Sequence, residues 1–186
     1  PDLVHIGNLH GKYFDIRLLS KIASKTSIIL RLSDMWMLTG HCAHSISCDR
    51  WEIGCGRCPD LNLYPSIKRD GTKKNLRVKE AIYKKSRFYI STPSKWLMKK
   101  VKRSVLKYSA IDYRVIPTGI DLSFFKPGSK NELRKSMNIP LKDKVILLIK
   151  SGFSDYKWDI PNAFFTLLDQ SLSTKNKITL LMIGSN

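Results

Sequence analysis

Ser27-Ile28-Ile29-Leu30-Arg31-Leu32 runs straight into Ser33-Asp34-Met35-Trp36. The first six residues are rich in β-branched and apolar side chains and lack the strict alternation of a half-wet strand. Such a run reads as a buried strand of a parallel sheet. In open α/β sheets, ligands bind in the loops that follow the carboxyl ends of strands. Asp34 therefore stands where chemistry is expected. The same residue equally fits an Asx-turn that starts the next loop.

Outward from this strand the chain alternates strands and helices. Upstream, Leu3 to Ile6 is a short strand, and Asn8-Leu9-His10-Gly11 is a loop with a permissive glycine. A helix follows from about Asp15 to Ser24, with Ile16, Leu19, Ile22 and Ala23 on one face. Downstream, a basic helix is predicted over Thr72 to Lys85, with Leu76, Val78, Ala81 and Ile82 as its less polar positions. Phe88 to Ser91 is the next strand. Ser94 caps a helix over Lys95 to Lys107 that places Leu97, Met98, Val101 and Val105 on one side. Tyr113 to Ile116 is a strand ended by Pro117-Thr118-Gly119. Gly119 either brings backbone close to a ligand or is an ordinary turn glycine.

Ile120 to Pro127 reads as a linker with Phe124 and Phe125 as anchors. Ser129-Lys130-Asn131-Glu132 is a capping box opening a helix to about Met137. Val145 to Ile149 and Ile178 to Ile183 are strands of a new unit. A polar loop over Lys150 to Asp159 and a helix near Ile160 to Leu172 lie between them. The expected architecture is α/β, with two doubly wound parts: 1–123, and 124–186 comprising linker and second part. The chain opens and closes on strands and begins without Met, so it is expected to be a fragment cut at both ends.

Between Trp36 and Pro59 the alternation is interrupted. All four cysteines of the protein lie here, with spacing Cys42-x5-Cys48-x6-Cys55-x2-Cys58. Cys55-Gly56-Arg57-Cys58 is a knuckle whose glycine allows a turn that points two sulfurs at one ion. Cys42 and Cys48 complete a tetrahedron of thiolates, with His41 or His44 as substitutes. A structural zinc would hold a loop with too little apolar content to hold itself. Two disulfides in an oxidising compartment, or four reduced thiols, fit the residues as well.

The formal net charge is +18, and residues 68–107 hold 15 Lys or Arg against Asp70 and Glu80. Such a patch attracts phosphates of nucleic acid, anionic lipid or a pyrophosphate-linked substrate; it equally describes a solvated, lysine-rich surface. Hydrophobic content is 42%, normal for a globular core. No apolar run approaches the roughly 20 residues that span a bilayer, and no signal peptide is visible. GxGxxG, P-loop and GxSxG motifs are absent from the sequence.

Several motifs together resemble a known family. They are His5-x-x-Asn8-Leu9-His10-Gly11; Ser33-Asp34-x-Trp36-x-x-Thr39-Gly40-His41-Cys42-Ala43; Cys48-x-x-Trp51-x-x-Gly54-Cys55-Gly56-x-Cys58-Pro59; Thr92-Pro93-Ser94-Lys95-Trp96-Leu97; and Val115-Ile116-Pro117-Thr118-Gly119-Ile120-Asp121-x-x-x-Phe125-x-Pro127. The set is similar to the family-4, GT-B-fold glycosyltransferases of bacterial exopolysaccharide and capsule synthesis, in a subgroup with a cysteine loop, here residues 36–66.

The resemblance implies a GT-B-like chain: most of one Rossmann-like, acceptor-side domain and the start of a donor-side domain. It implies retaining transfer of a sugar from a nucleotide-sugar donor to a glycan or lipid-pyrophosphate glycan acceptor, with no metal needed for catalysis. A peripheral place on the anionic inner face of the plasma membrane would suit it, in an otherwise cytoplasmic protein. His10 and Gly11 match the family's cleft-facing loop. Asp34 matches the Asp of a His-Asp pair whose His is replaced by Ser33. Gly119 matches the Gly of Pro-Asn-Gly-Ile-Asp, with Thr118 for Asn. Lys157 stands near the family's Lys-Gly, with Trp158 for Gly. The family's Glu-x7-Glu would lie beyond Asn186, so this piece alone is expected to be inactive. Two other readings compete: a basic zinc module binding nucleic acid, disfavoured by the α/β flanks, and a non-catalytic family remnant, suggested by Ser33 and Trp158.

Overall fold

The computed structural model describes residues 1–11, 13–149, 166 and 177–184. Two compact units divide at Gly119/Ile120. In the first, four parallel strands form one sheet in the order β1 (Leu3–Ile6), β2 (Ser27–Arg31), β3 (Phe88–Thr92), β4 (Ala110–Val115). Ile6 lies opposite Leu30, Leu30 opposite Ile90, and Thr92 opposite Val115. This is the α/β architecture, with a Rossmann-like parallel sheet, that the β-branched run at Ser27 implies.

Strands laid down in sequential order need a crossover between each pair, and right-handed crossovers place the covering helices on one face. That face carries Ile28, Leu30, Phe88 and Ile90, all buried. It shares one apolar core with Leu19 of α1 (Leu18–Ala23) and with Leu97, Met98 and Val101 of α3 (Lys95–Arg103). The opposite face holds Ile29 and Arg31 half-buried and Tyr89 exposed.

Helix α1 spans only Leu18–Ala23 of the expected Asp15 to Ser24, and two further helices depart from their sequence-based reading. The helix over 95–107 ends at Arg103. Ser104 turns extended (φ −89°, ψ 172°), and its hydroxyl accepts the Leu106 N–H at 3.2 Å. A 3₁₀ turn, Val105–Ser109, then carries Leu106 into the core. A serine that caps a new turn outcompetes helix continuation because its side chain supplies the acceptor that the backbone would otherwise find in the helix. At the other end of α3 the expected cap is present: Ser94 Oγ accepts the Leu97 N–H at 3.2 Å.

In α2 (Thr72–Lys84) the buried positions are Thr72, Leu76, Lys79, Ile82 and Tyr83, while Val78 is exposed. The core stripe therefore runs through a lysine and leaves out Val78, against the polarity-based expectation. Helical spacing decides this: 76, 79, 82 and 83 share one face, whatever their polarity.

The second unit is described by itself. Strands β5 (Lys144–Ile149) and β6 (Ile178–Ile183) pair in parallel over six positions. Helix α4 (Lys130–Ser136) opens on Ser129, whose hydroxyl accepts the Glu132 N–H at 3.4 Å. Buried Arg134 donates to the carbonyls of Pro140, Leu141 and Asp143 at 2.8–3.0 Å, which ties the turn before β5 to α4. The expected loop over 150–159 and helix near 160–172, and with them Lys157 and Trp158, lie outside the described residues apart from Thr166.

Candidate functional site

The loops after β1 and β2 emerge side by side because these strands are parallel neighbours in register. The β1 loop delivers His10 and the β2 loop delivers Asp34. Their side chains meet: His10 Nε2 lies 2.9 Å from Asp34 Oδ2, and each side chain is only 12% exposed. Asp34 Oδ1 accepts the Trp36 N–H at 2.8 Å. Both readings of Asp34 thus hold at once, one oxygen closing an Asx-turn and the other reaching His10. In the neutral imidazole a carboxylate facing Nε2 favours the proton on that nitrogen, which leaves Nδ1 as the lone-pair side. Nδ1 is buried and has no hydrogen-bond partner among the described residues.

Aromatic rings frame the imidazole. Tyr64 meets it edge-on at 5.3 Å, and Trp36 stands tilted at 6.1 Å. His10, Ile16, Trp36, Lys74, Asn75 and Lys79 line part of a cavity of about 320 Å³ that Gly40, His41 and Pro65 help to close. This volume is in the range of small-molecule sites, which are mostly apolar with a few placed polar groups.

Lys79 supports the wall from inside the core. Its Nζ donates to the carbonyl of Thr39 at 2.9 Å and to that of Trp36, and it lies 3.6 Å from the centre of the Trp36 ring. Burial pushes its pKa down to about 7, against the smaller opposing influence of Cys42, Cys55 and Asp34. Tyr83 anchors the same loop by donating to the Met37 carbonyl at 2.8 Å. Gly40 is fixed by space: a Cβ there would lie 2.5 Å from the Thr72 carbonyl oxygen.

The four cysteines converge next to this pocket. Cys42, Cys48, Cys55 and Cys58 line one cavity of about 20 Å³, and Gly40 and His41 wall both cavities. All four are free and half-buried. Burial raises the thiol pKa of Cys55 to about 11, and raises those of Cys42 and Cys58. Buried, protonated thiols are poor nucleophiles, so the cluster is not built for thiol catalysis.

The structure thus joins His10 with Asp34, and gathers the four cysteines behind them. Gly11 follows His10, and a Cβ on it would collide with the Tyr13 ring at 2.8 Å. Gly119 stands apart from this pocket, with nothing within 4 Å of a Cβ placed on it. The segment before it is held by Arg31, which donates to the Ile116 carbonyl at 3.1 Å and to Thr118 Oγ1 at 3.3 Å. Sequence reasoning missed the direct His10–Asp34 pair, Tyr64 and Lys79. The register of β1 against β2 was the signal for the pair, and helical spacing was the signal for Lys79.

No protein-family model matches the chain. The chain is similar to the protein described as "Putative colanic acid biosynthesis glycosyl transferase WcaC" of Escherichia coli (strain K12). They share 31% identity over 77 residues, which is 38% of this chain and 19% of that protein. The chain therefore has a distant relative described as a glycosyl transferase of colanic acid biosynthesis, and the match spans about a fifth of that relative's length. Among the described residues, no helix is long and apolar enough to cross a membrane.

Proposed function

We propose that this chain is the acceptor-side domain, with the start of the donor-side domain, of a GT-B-like glycosyltransferase that moves a sugar from a nucleotide-sugar donor to a glycan acceptor. The single observation that carries the reading is the His10–Asp34 pair at the carboxyl ends of adjacent parallel strands, with His10 lining a cavity beside Trp36. Similarity to a glycosyltransferase of polysaccharide synthesis supports the same class.

In this reading the His10 ring meets the acceptor in the cavity that it lines, and Asp34 is a positioning residue that holds the imidazole through Nε2. Trp36 offers a flat apolar wall against which a sugar ring packs. The acceptor oxygen bonds to the anomeric carbon as the bond to the diphosphate breaks, and the nucleoside diphosphate leaves with that electron pair. For a retaining transfer the acceptor enters on the leaving-group face, and its proton passes to the departing phosphate. The family resemblance implies substrate binding at Gly119 and at Lys157, and a lipid-linked acceptor at an anionic membrane surface suits the basic segment 68–107.

The test is sugar transfer by the intact protein that contains this chain, assayed against uridine- and guanosine-diphosphate sugars with lipid-linked glycan acceptors. His10→Ala is expected to lower kcat/KM about 100-fold or more. Asp34→Asn is expected to raise the acceptor KM and lower kcat while the donor KM stays unchanged. Full activity in His10→Ala, or a loss confined to donor KM, overturns the acceptor-side assignment.

A further inference from the structure

The cysteine loop serves no step in the proposed transfer, and it carries its own chemistry. We propose that Cys42, Cys48, Cys55 and Cys58 bind one zinc ion as four thiolates, and that this centre fixes the rear wall of the His10 pocket.

Four sulfurs from three separate turns reach one cavity of about 20 Å³. That is room for a single water-sized occupant and far too little for an iron–sulfur cluster, which brings several irons and sulfides of its own. Each sulfur lies within electrostatic reach of others: Cys55 senses Cys42, Cys48 and Cys58, and Cys42 senses Cys58 and Cys48. The remaining walls, including Trp51 and Thr72, shield the cavity.

The backbone of the knuckle is set in an unusual shape. Gly54, Cys55, Gly56 and Arg57 all have positive φ, at 114°, 55°, 90° and 47°. Two of the four are not glycine, and L-residues enter this region only when the surroundings hold them there. Here the holding comes from the start of α2. Thr72 Oγ1 accepts the Gly56 N–H at 2.9 Å, and Asp70 accepts the Cys58 N–H at 2.8 Å and the Thr72 hydroxyl at 2.6 Å. The turn thereby aims Cys55 and Cys58 into the cavity that Cys42 and Cys48 also line.

As the side chains stand, no three His, Cys, Asp or Glu among the described residues are drawn together tightly enough to hold an ion. Zinc binding therefore requires the cysteine side chains to rotate toward the centre of the cavity that all four line. Binding then balances as one zinc ion replacing four thiol protons, which leaves a centre of net charge −2. Zinc favours this four-coordinate, all-sulfur arrangement in structural sites. The stretch that follows the loop in sequence is strongly basic, with 15 Lys or Arg against two acids over residues 68–107.

His41 stands beside the centre rather than in it. Its Nδ1 lies 3.1 Å from the Pro65 carbonyl and its Nε2 lies 3.4 Å from Cys58 Sγ. Because Gly40, His41 and Pro65 also close the cavity around His10, a metal at the sulfurs braces that wall. The zinc assignment stands or falls independently of sugar transfer, since its readout is metal content.

The test is metal analysis of the full chain purified under reducing conditions. One zinc per chain is expected, released on titration of the thiols with a mercurial. Cobalt replacing zinc in the unaltered chain should give the tetrahedral bands and sulfur charge-transfer of a four-thiolate site, which avoids reliance on variants that fail to fold. Each Cys→Ser change should cut zinc affinity about tenfold or more, while His41→Gln should keep it. Zinc-free protein with four titratable thiols overturns the proposal, as does a mass lowered by four hydrogens from two disulfides. An iron chromophore, or zinc loss in His41→Gln, does so equally.

Discussion

Lys79 gives the first unit a pH dependence that can be worked out from its position. Its ammonium is wholly buried against the Trp36 ring and two loop carbonyls, and burial lowers its pKa from 10.5 to about 7. The unfolded chain therefore binds a proton on Lys79 between pH 7 and 10.5 that the folded chain has released. Stability must rise with pH wherever the unfolded state binds more protons. Keeping this group buried at pH 7 costs roughly 4 kcal/mol relative to a fully deprotonated lysine, and raising the pH from 7 to 8 should recover about 1 kcal/mol.

Above about pH 9 the climb weakens, because the folded state raises Cys55 from 9.0 to about 11 and so retains a thiol proton that the unfolded chain gives up. The assay is urea unfolding of the reduced, zinc-chelated chain at pH 7.0, 7.5 and 8.0, followed by tryptophan fluorescence. The midpoint should climb by about half a molar over this range for a slope of 1–3 kcal/mol per molar. Lys79→Met, which fits the apolar stem but cannot titrate, should flatten the difference. A midpoint that is level in the unaltered chain, or that climbs equally in Lys79→Met, refutes the reasoning.

Three further outcomes follow from local geometry. Tyr83→Phe removes the hydroxyl that donates to the Met37 carbonyl inside the core and should cost about 1–2 kcal/mol in urea unfolding; unchanged stability would show that the bond contributes nothing net. Gly40→Ala forces a methyl against the Thr72 backbone and should destabilise by more than about 1 kcal/mol, with weakened zinc retention; a variant as stable as the parent would mean that the close approach is not real. Ser104→Ala deletes the cap of the 3₁₀ turn and should cost about 1 kcal/mol, read as a lower melting temperature; no change would show that Leu106 burial alone holds the turn.

Short-range rules carried the sequence reading where short-range physics decides. Apolar periodicity found strands β1 to β6, and hydroxyl acceptors at Ser94 and Ser129 marked helix starts, because caps and pleats are settled within a few residues. The same rules failed at Ser104, where one capping serine overrode a continuous amphipathic pattern. They failed again in α2, where Lys79 is buried and Val78 is exposed. Polarity picked out Val78 and passed over Lys79; the loop carbonyls and the Trp36 ring packed over it make burial tolerable.

The sequence by itself determined a parallel α/β chain with a strand-terminal Asp34 and a cysteine loop, because residue type and spacing are local properties. Only the tertiary structure decided that Asp34 faces His10, 24 positions away, since that meeting depends on β1 lying beside β2 in register. It also decided that four cysteines spread over 17 positions share one small cavity, because the knuckle's left-handed backbone and its ties to Asp70 and Thr72 hold Cys55 and Cys58 at the cavity that Cys42 and Cys48 also line.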